Sequence, residues 1–455
     1  MRLKKTFNSL MDIVRIKCLV QGARSTDQQA SSVPLMNAGG HEDQNDESES
    51  EDSAIGFIDP DVQRWHDFLD HLSGLCCFGN AGDQVTAIAA RRQSSLSTVF
   101  VLATNNNSTS EPAEHLQGIL ALLNTVCHDP ATSERTIGQI RNLSILQARK
   151  KVRNYRKRLS NLIEQVMADA KVKQINDDSQ PTTDAQDHSK LHTSLTVLTI
   201  PEEACDQLQF CTLVSKFHQS NEYRILRDQR LQSISAYSRM RHYIGRLCYW
   251  ERAATFVVRS ARRYRTLLAT AEVDWIDCTP GPRKCNTLRF DGNLRSLVGS
   301  IYPQFAADPG HSNYIVRRLE SATGLLRKFT DKGQKPGVHA ETALAHHFWL
   351  SDYIFAGPFP GAEDRYIGCS KPSCYCCSWY LYHHPGRFAN RPSHGTAWFR
   401  WYPPVVQDRD ETEMAMTSRI LENMSNSMHL DVKDAILHNE FGRRRDFDSM
   451  TGTSG

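Results

Sequence analysis

No stretch of this chain is apolar for long enough to cross a bilayer. Nothing in its 455 residues comes near the roughly 18 successive apolar positions a spanning helix needs. The opening segment, MRLKKTFNSLMDIVRIKCLVQGA, is basic and partly apolar, but Asp12, Arg15 and Lys17 break the apolar run, so it lacks the uninterrupted core of a secretory signal. A large charge excess is also missing. Fifty-four Lys and Arg stand against 51 Asp and Glu, a net +3, and no global field points to a partner. Thirteen cysteines, odd in number and irregular in spacing, are too few for a disulfide-dense scaffold of this length. No internal repeat recurs along the chain, which argues against a solenoid. These absences lead us to expect a chain without a membrane partner in a reducing compartment, cytoplasmic or nuclear.

What is present is uneven. Residues 24–54 are polar and aperiodic, with seven acids between positions 42 and 52, so 1–54 is expected to be mostly disordered and order to begin near Ile55. In 55–105, Val62, Trp65, Phe68, Leu69, Leu72 and Leu75 have helical spacing after an Asp59-Pro60 start signal. Two apolar runs, 85–90 and 97–104, then read as a strand pair. Residues 106–335 read as a mainly helical region, with a polar linker near 169–195. In 336–405 lie the residues with chemistry, including a short strand at 365–368 and another at 396–401. Residues 406–455 should hold one or two surface helices from 410 to 437 and a disordered tail.

The chemistry is carried by GVHAETALAHHFW and RYIGCSKPSCYCCSWYLYHH. The first opens an apolar helix with His339-Ala340-Glu341. The second runs through a short strand and a turn into Cys374-x-x-Cys377 at a helix start, with Ser373 as the expected cap. Two cysteines three apart on one helical turn can aim both sulfurs at one ion, and the positive helix end favours thiolates. A histidine opening a facing helix supplies a third ligand, and a catalytic zinc site needs three protein ligands and an open position for water. A glutamate two residues on can reach that water without being a ligand and carry its proton to a leaving amine. Cys369 and Cys376 offer other ligand pairs, but the geometry of one helical turn favours Cys374 with Cys377. Cys369 and Cys376 then become small buried apolar groups. His346 and His347, further along the first helix, read as surface or core.

H-x-E followed by P-C-x-x-C resembles the signature of the zinc-dependent nucleoside and nucleic-acid deaminase superfamily. The wider phrasing, HAE and then YIGCSKPSCYCC, looks like its fungal OTT-type branch. One departure stands out: Ser373 separates Pro372 from Cys374. The resemblance rests on about 70 residues. It implies an α/β fold, a cytidine deaminase-like sheet whose helices carry the zinc motifs, here with a large mainly α-helical region added. It also implies Zn2+ as cofactor, hydrolytic deamination of a nucleobase-containing substrate, His339, Cys374 and Cys377 as ligands, and Glu341 as proton shuttle to a zinc-bound hydroxide. In such families a strand pair ends in an asparagine that contacts substrate, which marks Asn105 and makes 55–105 the first part of a split core. His394, after a Pro-Ser turn, is a second candidate for substrate binding. Trp398 and Phe399 read as packing.

Two basic stretches remain. Residues 141–158 hold eight Lys or Arg and no acid, and 224–265 hold eleven arginines, with Tyr155 and Tyr264 interleaved. Such helices are either solvated faces or phosphate-binding surfaces for nucleic acid. Two functional classes follow: an active deaminase, or a catalytically inactive deaminase-fold zinc protein that serves as an interaction module. Glu341 favours the first, because a structural metal site has no use for it.

Overall fold

The structure, a computed structural model, describes residues 2–23, 59–79, 85–94, 97–105, 110–176, 183–227, 235–278, 292–330, 337–359, 361–404 and 411–441. It is a mixed α/β fold. Helix α1 (Arg2–Gly22) comes first, then α2 (Pro60–Leu75), β1 (Thr86–Arg92) and β2 (Thr98–Thr104). A helical series follows: α3 (Glu111–His128), α4 (Ser133–Gln147), α5 (Arg149–Asn176), α6 (Thr183–Thr196), α7 (Gln207–His218), α8 (Asn221–Leu226), α9 (Ser235–Leu247), α10 (Tyr249–Ala261) and α11 (Arg265–Leu268). Strand β3 (Glu272–Ile276) precedes α12 (Leu294–Ile301), α13 (Pro303–Ala306), α14 (Pro309–Glu320) and α15 (Thr323–Thr330). The chain then forms β4 (Gly337–Val338), α16 (Ala340–Leu350), β5 (Tyr366–Cys369), α17 (Tyr375–His383), β6 (Ala389–Asn390), β7 (Trp401–Tyr402) and α18 (Glu411–Leu437).

The main sheet has the order β3-β2-β1-β5-β6. β1 runs antiparallel to β2, with Thr86 opposite Thr104, and antiparallel to β5, with Ala87 opposite Cys369. β3 joins β2 in parallel at the outer edge. Residues 86–104 and 366–369 therefore share one sheet although more than 250 positions separate them in the chain.

Side-chain alternation divides this sheet between two cores. Ile88, Ala90, Phe100 and Leu102 point to one face, where α2 and the helical series pack. Ala87, Ala89, Val99, Val101 and Ala103 point to the other, where α16, α17, α1 and α18 pack. Helix α2 is positioned by its start. The Asp59 carboxylate accepts from the Asp61 amide at 2.7 Å and Pro60 occupies the first turn, so Trp65, Phe68, Leu69 and Leu72 face the sheet. Gly368 lets α2 lie close, since a Cβ there would come within 2.5 Å of the Leu69 backbone.

Several expectations are corrected. Residues 2–22 are not disordered: Leu10, Val14, Ile16 and Leu19 of α1 are fully buried against α18 and its neighbours. The charges that interrupt its apolar run are paired, Arg15 with Asp12 and Lys17 with Asp431. Of the linker expected near 169–195, residues 169–176 continue α5 and 183–195 lie in α6, while 177–182 lie outside the described residues. The strand expected at 396–401 is reduced to Trp401–Tyr402, which pairs with the short β4 just before His339, a strand that the sequence pattern does not announce. Of the one or two surface helices expected at 410–437, a single one forms, α18, and it is not confined to the surface, since it buries Ile420, Leu421, Met424 and Met428. The acidic segment and the rest of 24–58, and the tail 442–455, lie outside the described residues.

Candidate metal centre

His339 is the N-cap residue of α16 and Cys374 that of α17. α16 is buried around its circumference over 340–346, where it lies among the sheet, α17 and α18, and this burial fixes where its first turn ends up. At the start of α17 the cap is Cys374, not Ser373: the Cys374 sulfur accepts from the Cys377 amide at 3.5 Å. The Ser373 carbonyl instead accepts from the His394 amide (3.1 Å) and the Ser393 hydroxyl (2.9 Å).

The two helix starts bring three donor atoms together. His339 Nδ1 lies 3.5 Å from Cys374 Sγ and 3.2 Å from Cys377 Sγ, and the sulfurs are 3.4 Å apart. Among the described residues, His339, Cys374 and Cys377 form the one group of this kind, and they could hold a metal ion. A tetrahedral ion about 2.0 Å from nitrogen and about 2.3 Å from sulfur places such donors roughly 3.5 Å apart. The donor set also calls for a cation. Burial pushes the Cys374 thiol up, but sulfur contacts from Cys376 and Cys377 and the charge of His339 carry it well below the ordinary thiol range. Burial, together with the hydrogen bond and negative charge of Cys374, drives Cys377 well above it. Two buried sulfurs this close become thiolates together only with a positive ion between them.

Glu341 sits in the first turn of α16 and is buried. Burial raises its pKa and Cys374 adds to the rise, while His339 and a hydrogen bond with the Cys377 thiol oppose it. Its Oε2 is buried with no hydrogen-bond partner among the described residues. An orphaned carboxylate oxygen beside three ligand atoms is suited to a water or a substrate amine.

Asn105 directly follows β2, is fully enclosed, and its Oδ1 accepts from the Ala340 amide at 2.6 Å, between His339 and Glu341. His394 is half-buried. Its Nδ1 accepts from the Thr396 amide at 3.0 Å, which puts the ring proton on Nε2. Burial lowers its pKa, Cys374 opposes the fall, and the charges of Lys371 and His339 add to it. Cys369 and Cys376 are fully buried in the same core. His346 is buried against Glu413, Nε2 to Oε1 2.7 Å, and His347 packs on Tyr353.

Two residues near the centre give no signal in the sequence. Gln21 of α1 donates to the Gly395 carbonyl (2.7 Å) and accepts from the Ala397 amide (3.0 Å), clamping the loop after His394 across more than 370 positions. Cys278, just beyond β3, is hydrogen-bonded to the Thr104 backbone, and burial, Asp277 and the nearby Glu341 push its thiol up to about 12. Neither lies in a local motif, and only the folded chain brings them here.

Residues 338–405 match the model of a family described as OTT_1508_deam:-like deaminase. The match takes in His339, Glu341, Cys374, Cys377 and His394, but not β1, β2 or Asn105. No curated protein and no solved structure matches the chain. On motif, site geometry and family match together, residues 338–405 are a domain of the deaminase superfamily.

Proposed function

We propose that this chain is a zinc-dependent hydrolase that replaces the exocyclic amino group of a nucleobase with oxygen. The observation that carries this reading is the orphaned, buried oxygen of Glu341 beside the His339, Cys374 and Cys377 donors. When bound, zinc supplies a Lewis acid that makes water nucleophilic near neutral pH. His339 would hold it through Nδ1 and the two cysteines through thiolates. Glu341, whose raised pKa suits it to exchange protons, takes one from the attacking water at its carboxylate and delivers it to the amino nitrogen, which leaves as ammonia. His394 offers Nε2–H as a donor to the ring. Asn105 fixes the start of α16 through Oδ1 and stands at the edge of the substrate site. The catalytic core in this reading combines 59–105 with 337–404; of the intervening chain, α3–α11 pack on the opposite face of the sheet, β3 extends its edge, and α12–α15 pack on the side of the metal centre.

The test is product analysis by mass spectrometry after zinc-loaded protein is incubated with nucleosides, nucleotides, single-stranded DNA and RNA. The expected result is one substrate class gaining the mass change of amino-to-oxo replacement, with ammonia in equal amount. No product across the panel would favour a non-catalytic module.

A further inference from the structure

The two basic runs are used differently by the fold. In 141–158 the charges act partly as internal fasteners. Lys151 is buried with Nζ on the Cys77 carbonyl at 3.2 Å. Arg156 is buried, donates to the carbonyls of Cys205 (2.6 Å) and Ile200 (2.7 Å), and lies 4.2 Å from the Phe210 ring centre. Tyr264, from the second run, is core, packed on Trp65. Arginines of that second run, however, line a cleft. Arg252, Arg259 and Arg263, on or just past α10, join Arg64 of α2 around an open space of about 720 Å3, with half-buried Phe256 among them.

The charge balance in this cleft is positive. Glu251 is neutralised by Arg141 at 2.9 Å, and Asp61 is shared between Arg64 and Arg263. Glu134 lies in the first turn of α4, where the helix end offsets it. Arg259 is exposed and has no partner among the described residues. Arg252 gives one bond, from Nη2 to the Gly245 carbonyl at 3.1 Å, and its buried Nε has no partner among the described residues. His71, 4.6 Å from Phe256, is held neutral: burial, then the charges of Arg391 and Arg252, bring its pKa down to about 4.

We propose that this cleft binds the backbone of a single-stranded nucleic acid. Arg64 and Arg263 meet at Asp61, whereas Arg252 and Arg259 stand apart from each other by about 10 Å along α10, so the cationic groups as a set suit successive phosphates rather than one. Phe256 provides an aromatic face among them, the combination that accepts an unstacked base beside its phosphate. No residue of the cleft belongs to the metal centre, so this binding does not depend on the deaminase reading.

The experiment is fluorescence anisotropy of a labelled, mixed-sequence single strand against the full chain carrying Glu341→Gln, so that turnover cannot alter the probe, over a range of salt. Arg259→Glu, at an exposed position, should weaken binding by about tenfold or more with the melting temperature unchanged. Arg64→Gln with Arg259→Gln should lower the slope of log affinity on log salt by about 1.4, or about 0.7 for each phosphate that is no longer neutralised. Lys150→Glu and Lys157→Glu, on the exposed face of α5, should leave affinity within about twofold. Unchanged affinity and slope in the cleft variants would overturn the inference. So would an equal weakening in the α5 variants, or a free nucleoside monophosphate bound as tightly as the strand.

Discussion

Asn105 and Ala340 are 235 positions apart in the chain and are joined by a 2.6 Å hydrogen bond. The acceptor directly follows β2 and the donor is the first amide of the helix that carries Glu341, with His339 immediately before it. A sheet built from the front of the chain thus sets the height and rotation of the metal-site helix, which the matched segment does not do alone.

Asn105→Ala should leave the fully buried Ala340 amide without an acceptor, at a cost of about 1–3 kcal/mol. Thermal melting should shift down and metal should be held more weakly. Asn105→Asp, which keeps an acceptor at a helix N-terminus, should recover most of the stability. Equal melting curves for the alanine variant and the unmodified protein would show that the bond does not position α16.

Metal analysis checks the ligands. The purified chain should hold one ion per molecule, and zinc should be the ion recovered. Cys374→Ala and Cys377→Ala should each release it and destabilise the region around α16 and α17, because the remaining buried donors lose their cation. Full occupancy in the double variant would remove the assignment.

Gln21→Ala deletes both bonds from α1 to the loop at 395–397 and should cost about 1–2 kcal/mol. Hydrogen exchange should rise locally at 394–397 while the helical series remains protected. If exchange in that loop is unaltered, α1 is only packed nearby.

His115 gives a pH signature in the helical series. Burial lowers its pKa from 6.5 to about 4, with a 3.1 Å contact to the Ser144 hydroxyl. The unfolded chain takes up this proton at higher pH than the folded one, so the contribution is intact above pH 6.5 and is lost as pH falls towards about 4. His115→Gln should therefore flatten the fall in melting temperature between pH 7 and pH 4.5, values spanning roughly this window. An unchanged slope would mean the ring is not held neutral by the fold.

Legibility in the sequence follows locality. The trio His339, Cys374 and Cys377 can be read because helix starts fix ligand spacing over a few residues, and the α2 stripe because burial has a 3.6-residue period. The order of α1 is hidden because Asp12, Arg15 and Lys17 look like interruptions until Asp431 and the Arg15–Asp12 pair account for them. β3 and Cys278 are hidden because edge pairing with β2 depends on a partner about 170 residues away, which no local pattern encodes. Gln21 escapes a local reading for the same reason.

The most direct test of the central claim compares the unmodified chain with Glu341→Gln at equal metal content, following ammonia release from the substrate the panel identifies. Glutamine keeps the size and a hydrogen bond but cannot carry the proton. The account predicts the same folding and metal occupancy, with turnover lower by about a hundred- to ten-thousand-fold. Turnover by Glu341→Gln at close to the unmodified rate would contradict it.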